Sequence, residues 1–257
     1  MTRRHLTFAC EGSVLVGTLD EASATSGLLI VSGGNELRSG PWAGQAQLAA
    51  LVAEAGFPVF RFDRRGVGDS EGPNGEFRSS APDIAAALAV FREACPHVTR
   101  IVAMGNCDVA SALMLAGGAG CDGLILSNPW TIEDDAAAPP PEALRGHYKQ
   151  RLADPAALKR LLRGEVKLSA LFASLLGALK PAPPPTGLAQ EIAAGIARFA
   201  GAVSLPIASR DRTAQAFLSA WKKGDPRIQL CEGASHSFVE PEARVWLLER
   251  VLEVLQA

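Results

Sequence analysis

Ile101-Val102-Ala103-Met104-Gly105-Asn106-Cys107-Asp108-Val109-Ala110 runs from an unbroken apolar stretch into a glycine, a single thiol and then a helix-forming segment. Four or more consecutive apolar residues before a turn are the mark of a strand buried on both faces, as in a parallel sheet covered by helices. Residues 107–116 read as a helix, so Cys107 falls on the turn between the two elements. A sharp strand-to-helix turn lifts one side chain above the sheet edge, the arrangement usually written G-x-S-x-G; here the pattern is G-x-C-x-V. A thiol at a helix N-terminus faces the positive end of the helix dipole, which favours the thiolate. The same residue also suits a small apolar filler, as many core cysteines are. Val109 in place of the second glycine is expected to hold the helix slightly farther from its neighbours.

The flanking sequence repeats this strand-then-helix rhythm. Residues 6–10 and 13–19 alternate as an antiparallel hairpin turning at Glu11-Gly12. Continuous apolar runs at 27–31, 58–63, 99–104 and 122–127 read as buried strands. Helical patterns at 42–54 (closed by Gly56), 82–94 and 107–116 separate them. The rhythm resumes with strands at 203–209 and 227–231 and helices at 213–222 and 241–256, the last opening on Pro241-Glu242. Alternation of this kind implies a parallel sheet built of βα units.

The segment 129–185 is of another kind. Proline clusters bound it (Pro139 to Pro141 and Pro181 to Pro185), and only helical periodicity lies between them. Leu168, Leu171, Phe172, Leu175, Leu176 and Leu179 follow the i, i+3, i+4 rule and define one apolar face. This is expected to be a helical lid inserted after the sixth strand, between core segments 1–128 and 186–257.

The chain has 257 residues with 25 Lys and Arg against 27 Asp and Glu, a net charge of −2. That balance argues against a nucleic-acid binder, and no apolar run has the roughly 18 residues that a membrane-spanning helix needs. The charge is uneven: residues 142–180 hold eight basic and three acidic groups. Its five cysteines, Cys10, Cys95, Cys107, Cys121 and Cys231, form no C-x-x-C pair. They therefore suggest neither a disulfide framework nor a zinc ribbon, and favour a reducing compartment. Arg3-Arg4 and Ala9-Cys10 faintly resemble export signals, but Glu11, Gly12 and Ser13 interrupt any apolar core, so a cytoplasmic location is expected.

A thiol nucleophile needs a base. Of four histidines, His5 lies in the hairpin, His97 in a turn and His147 in the lid, whereas His236 lies between the last strand and the last helix. That loop emerges at the C-terminal edge of the sheet, where sites in open α/β folds gather. Asp211, following strand 203–209, occupies the same edge. It suits a carboxylate that orients the imidazole, and equally a cap for the next helix. Asp134 and Asp135 compete with it for the first role. The order Cys107, Asp211, His236 is the nucleophile, acid, histidine order of one large hydrolase class. The loop Ser32-Gly33-Gly34-Asn35-Glu36 can supply an oxyanion donor from the N–H of Asn35 or Gly34, with a second from the residue after the nucleophile, Asp108. Phe62-Asp63-Arg64-Arg65-Gly66-Val67-Gly68-Asp69-Ser70 reads as a structural turn in which Asp63 accepts hydrogen bonds.

Across nearly its whole length the chain resembles the α/β-hydrolases. More narrowly, Gly105-Asn106-Cys107-Asp108, Arg210-Asp211-Arg212-Thr213-Ala214 and His236-Ser237-Phe238 are similar to the type 1 hydrolases associated with the exosortase A system of exopolysaccharide-producing bacteria. The resemblance implies an α/β-hydrolase fold, with a mostly parallel eight-stranded sheet covered by helices on both faces and a helical lid. It also implies a Cys-His-Asp hydrolase that uses no metal and no cofactor. The expected chemistry is acyl-ester or thioester hydrolysis through an acyl-cysteine. An acyltransferase using the same residues, or a non-catalytic binding scaffold, are the alternatives. The expected substrate is a small-molecule or carrier-linked acyl group, with an anionic carrier or membrane surface meeting the basic lid and no nucleic-acid partner.

Overall fold

The computed structural model describes residues 2–133 and 187–257. The body of the expected lid, with Asp134, Asp135, His147, the basic stretch and the 168–179 apolar face, lies outside the described residues.

Strands β1 (Arg3–Cys10) and β2 (Ser13–Asp20) pair antiparallel in register from Arg3–Asp20 to Cys10–Ser13. They turn on Glu11 and Gly12, both at positive φ (46° and 81°), as a tight two-residue hairpin requires. β2 lies antiparallel to β4 (Val59–Phe62), and everything beyond is parallel: β3 (Ser26–Val31), β5 (Arg100–Asn106), β6 (Gly123–Ser127), β7 (Ala202–Ala208) and β8 (Ile228–Cys231). The eight strands lie in the order β1-β2-β4-β3-β5-β6-β7-β8, so the expected mostly parallel eight-stranded sheet is what forms.

Strand alternation sorts side chains into two cores. On one face, Leu29, Phe60, Phe62, Ala103, Leu124 and Leu126 are buried beneath α2 (Ala81–Ala94), α3 (Asp108–Leu115), α4 (Gly187–Ile196) and α5 (Arg212–Ala220). On the other, Leu28, Ile30, Val102, Met104 and Ile125 pack against α1 (Gly44–Glu54) and α6 (Pro241–Gln256). Both faces being covered is why these strands read as continuous apolar runs. Helix α4 was not foreseen. It lies hard against α3, so close that a Cβ at Gly195 would come within 2.1 Å of the Met114 carbonyl oxygen. Residues 129–133, placed with the lid in the sequence reading, start from the core: the Trp130 N–H donates to the Cys107 carbonyl (3.2 Å) and its own carbonyl accepts from Ser111 Oγ (2.7 Å).

Candidate active site

The strand-to-helix turn holds Cys107 at φ 63°, ψ −128°, the residue just before helix α3. A non-glycine residue in that region costs on the order of 1–3 kcal/mol and persists only where its surroundings impose it. Here the Cys107 N–H donates to the Ser127 carbonyl (3.0 Å), and the Cys107 carbonyl accepts from Trp130 (3.2 Å). Gly105 is needed beneath the turn, since a Cβ there would lie 2.7 Å from Val109 Cγ1. The room that a second glycine would have given is thus supplied by the first, and Val109 is fully buried.

Asp211 touches both the helix that it precedes and the histidine. As N-cap of α5 its Oδ2 accepts from the Ala214 N–H (2.9 Å), and the same oxygen lies 2.9 Å from His236 Nδ1. With Nδ1 engaged, the other ring nitrogen is left for Cys107, which lines the same cavity as His236. The His236 pKa is pushed up from 6.5 to about 10. The hydrogen bond that His236 donates to Asp211 is the largest cause and the interaction with Cys107 the next, together outweighing the opposing effect of burial. Backbone bonds knit the two loops together: the Arg210 N–H donates to the Ala234 carbonyl (3.0 Å), and the Gly233 N–H to Ser209 Oγ (2.8 Å).

A residue that sequence reasoning passed over ties three strand ends into this arrangement. Asn128, wholly buried at φ 45°, donates through Nδ2 to Asn106 Oδ1 and to the His236 carbonyl, each at 3.0 Å. Its Oδ1 accepts from the Ala208 N–H at 2.8 Å. The segments leading to Cys107 and Asp211 and the His236 loop therefore meet on one side-chain amide. The available signal was an asparagine between a buried strand and Pro129, since asparagine tolerates the left-handed region better than other residues with a Cβ.

A cavity of about 390 Å³ opens over the thiol, lined among others by Gly34, Asn35, Glu36, Asp108, Trp130 and His236. The Gly34 N–H donates to both carboxylate oxygens of Asp108 (2.9 and 3.0 Å), while Asn35 stands on the same wall and holds Asn74 through its side chain (2.6 Å). Buried Arg64 props the loop by donating to the Gly34 carbonyl and to Ser80 Oγ (2.7 Å). Glu36 faces the same space, and burial pushes its pKa up. In the neighbouring turn, buried Asp63 accepts from the Asp69 N–H (3.1 Å), as expected, and also pairs with Arg38.

The other titratable candidates are elsewhere. His5 meets Thr18 and His97 meets the Ala22 carbonyl. Cys10, Cys95, Cys121 and Cys231 are buried while Cys107 is partly exposed. Burial drives the Cys10 thiol up to about 11 and that of Cys121 to about 12, and raises Cys95 and Cys231 as well. Among the described residues no cluster of histidine, cysteine and carboxylate side chains could hold a metal ion.

A side chain raised on a strand-to-helix turn at the centre of such a sheet, with a histidine and an acid on later loops of the same edge, defines the α/β-hydrolase class. The alpha/beta hydrolase family model matches residues 28–249, and the chain belongs to that family. Solved structures agree in fold. An esterase from Pyrococcus furiosus, Pf2001, superposes with a TM-score of 0.63 at 17% identity, over 99% of this chain and 92% of that one. The alpha/beta hydrolase GrgF from Penicillium sp. sh18 gives 0.63 at 20% identity, over 100% and 98%. Est1E from Butyrivibrio proteoclasticus, with ferulic acid bound, gives 0.58 at 14% identity, over 98% and 100%. No curated protein sequence matches the chain significantly.

Proposed function

We propose that the protein is an acyl hydrolase of the esterase or thioesterase kind, working through an acyl-cysteine on Cys107. The observation that carries this reading is the Asp211–His236 contact facing one open cavity together with Cys107, which stands on a strained turn. Cys107 sulfur adds to the acyl carbonyl while the proton rests on His236, stabilised by Asp211. His236 then gives that proton to the departing alcohol or thiol. In the second half it takes a proton from water, which attacks the thioester and returns free Cys107 and the acid. The oxyanion is held by the N–H groups of Asp108 and of Asn35 or Gly34. The Gly34 N–H becomes available when the Asp108 carboxylate that now holds it turns aside. Loss of one such donor typically costs about 2.7–4 kcal/mol of barrier. Esterase names among the structural neighbours and the resemblance to exosortase-associated hydrolases support the same reading.

The basic stretch 142–180 supports a substrate whose acyl group is carried on an anionic partner, such as coenzyme A or an acidic carrier protein. Reversing the charge of Arg145, Arg160 and Arg163 should slow turnover of carrier thioesters relative to a simple p-nitrophenyl ester. An unchanged ratio removes the carrier from the account. Iodoacetamide labelling tests the nucleophile: Cys107 should alkylate far faster than Cys95 or Cys231, and slow sharply in His236→Ala. Uniform labelling of the accessible thiols favours a non-catalytic scaffold. Product analysis with and without added alcohols or amines separates a hydrolase from an acyltransferase.

A further inference from the structure

Asp108, the residue after Cys107, carries a carboxylate where the proposed reaction needs only a backbone N–H. Both of its oxygens accept from the Gly34 N–H (2.9 and 3.0 Å), one of the donors assigned to the oxyanion. The loop is shaped to this contact: a Cβ at Gly33 would lie 2.5 Å from Asp108 Oδ1. A carboxylate and a nascent oxyanion are both negative and compete for the same donor, so turnover requires the carboxylate to leave it. An ion taken off its donor in a partly enclosed cavity needs another partner, because leaving it without one is costly.

The described residues that line the cavity offer it none. Arg64 and His236 are the two side chains there that carry positive charge, and both are engaged. Arg64, buried beneath the loop, donates to the Gly34 and Glu76 carbonyls and to Ser80 Oγ. His236 holds Asp211 through Nδ1 and shares the cavity with Cys107. Glu36 has the same want as Asp108. Among the described residues its side chain makes no hydrogen bond or ion pair, and it lines the cavity within electrostatic reach of Asp108. Exposed Glu76 adds a third carboxylate to the same walls. The space over the thiol therefore holds more negative charge than its own cations can meet, and the carboxylate nearest the thiol in sequence sits on the donor that turnover needs.

We infer that the substrate brings the missing cation: its acyl group carries a protonated amine close to the carbonyl, which Asp108 recognises, releasing the Gly34 N–H to the oxyanion as it does so. This inference rests on the acyl-cysteine reading above and leaves its bond changes as they are. Cys107 sulfur adds to the carbonyl, the departing thiol or alcohol takes its proton from His236, and the ammonium keeps its own. The anionic carrier proposed above belongs to the leaving group, the cation to the acyl group. The test is single-turnover acylation of the full-length protein by glycyl and β-alanyl thioesters of N-acetylcysteamine, at mildly acidic pH where the amines are protonated. Their uncharged isosteres, propanoyl and butanoyl, are the reference, and intact mass is the readout. At least one amine-bearing chain should react about tenfold faster than its isostere, the smaller end of what a hydrogen bond to a charged group contributes. Asp108→Asn keeps the shape and the backbone N–H but removes the charge. It should bring the ratio to about one and speed the uncharged chains, whereas Asp108→Glu should retain part of the preference. A carboxylate that merely braces the loop would, when changed to Asn, slow both chains alike and leave their ratio alone. Ratios near one for both pairs in the unaltered protein, or a preference that survives Asp108→Asn, overturn the inference. If no thioester of the panel acylates Cys107, the acyl-cysteine reading itself fails. Calorimetry with glycinamide and β-alaninamide then judges the cation site: binding that Asp108→Asn abolishes sustains it, and binding that is absent or survives that change overturns it.

Discussion

At the residue scale, Cys107 and His236 state the account most sharply. The positive φ of Cys107 is a strain that only glycine escapes, so Cys107→Gly should be more stable than Cys107→Ala by about 1 kcal/mol or more, read from chemical denaturation. Equal stabilities would mean that the turn relaxes once the thiol is gone. His236 gives a dependence on pH whose sign follows from its pKa being raised, from 6.5 to about 10. The folded protein binds the proton more tightly than the unfolded chain, so this stabilisation is complete below pH 6.5 and is lost as pH rises toward 10. The thermal midpoint should therefore fall across that interval in the unaltered protein and fall less in His236→Gln. Parallel curves would show that Asp211 and Cys107 do not hold the imidazolium. Both residues were legible in the sequence because each occupies a loop at the C-terminal edge of a buried strand. Asp108 was legible only as a backbone donor, and its carboxylate on the Gly34 N–H was not, since that contact joins loops 74 positions apart.

Among the elements, the strands and most helices follow from apolar periodicity because parallel strands buried on both faces leave a plain signature. Helix α4 was missed because Gly187–Ile196 follows a proline cluster and its interior Gly195 lowers helical propensity. That glycine is what lets α4 seat on α3. Gly195→Ala should destabilise the fold by about 1–3 kcal/mol, the usual cost of forcing bulk into a packed contact, measured by urea titration. Asn128 was missed for a different reason: its role is to join the ends of β5, β7 and the histidine loop, a long-range pattern that no local spacing reveals. Asn128→Ala strips the partner from the buried Ala208 N–H, at about 1–3 kcal/mol, and should also slow alkylation of Cys107 by loosening the His236 loop. Lost stability with unchanged alkylation would make Asn128 a brace for the sheet alone.

For the whole molecule, one sheet edge gathers Cys107, Asp211 and His236 from turns far apart in sequence. The uneven charge adds a basic stretch at 142–180 to a chain whose net charge is −2. Among the described residues no helix is long and apolar enough to cross a membrane. The central claim is that Cys107 accepts an acyl group with His236 as its proton partner. Intact-mass spectrometry after mixing the protein with short acyl thioesters and p-nitrophenyl esters tests it directly. The account predicts a single acyl adduct on Cys107, absent in Cys107→Ala and slow to form in His236→Ala. No adduct across the panel, or one that persists in Cys107→Ala, contradicts it.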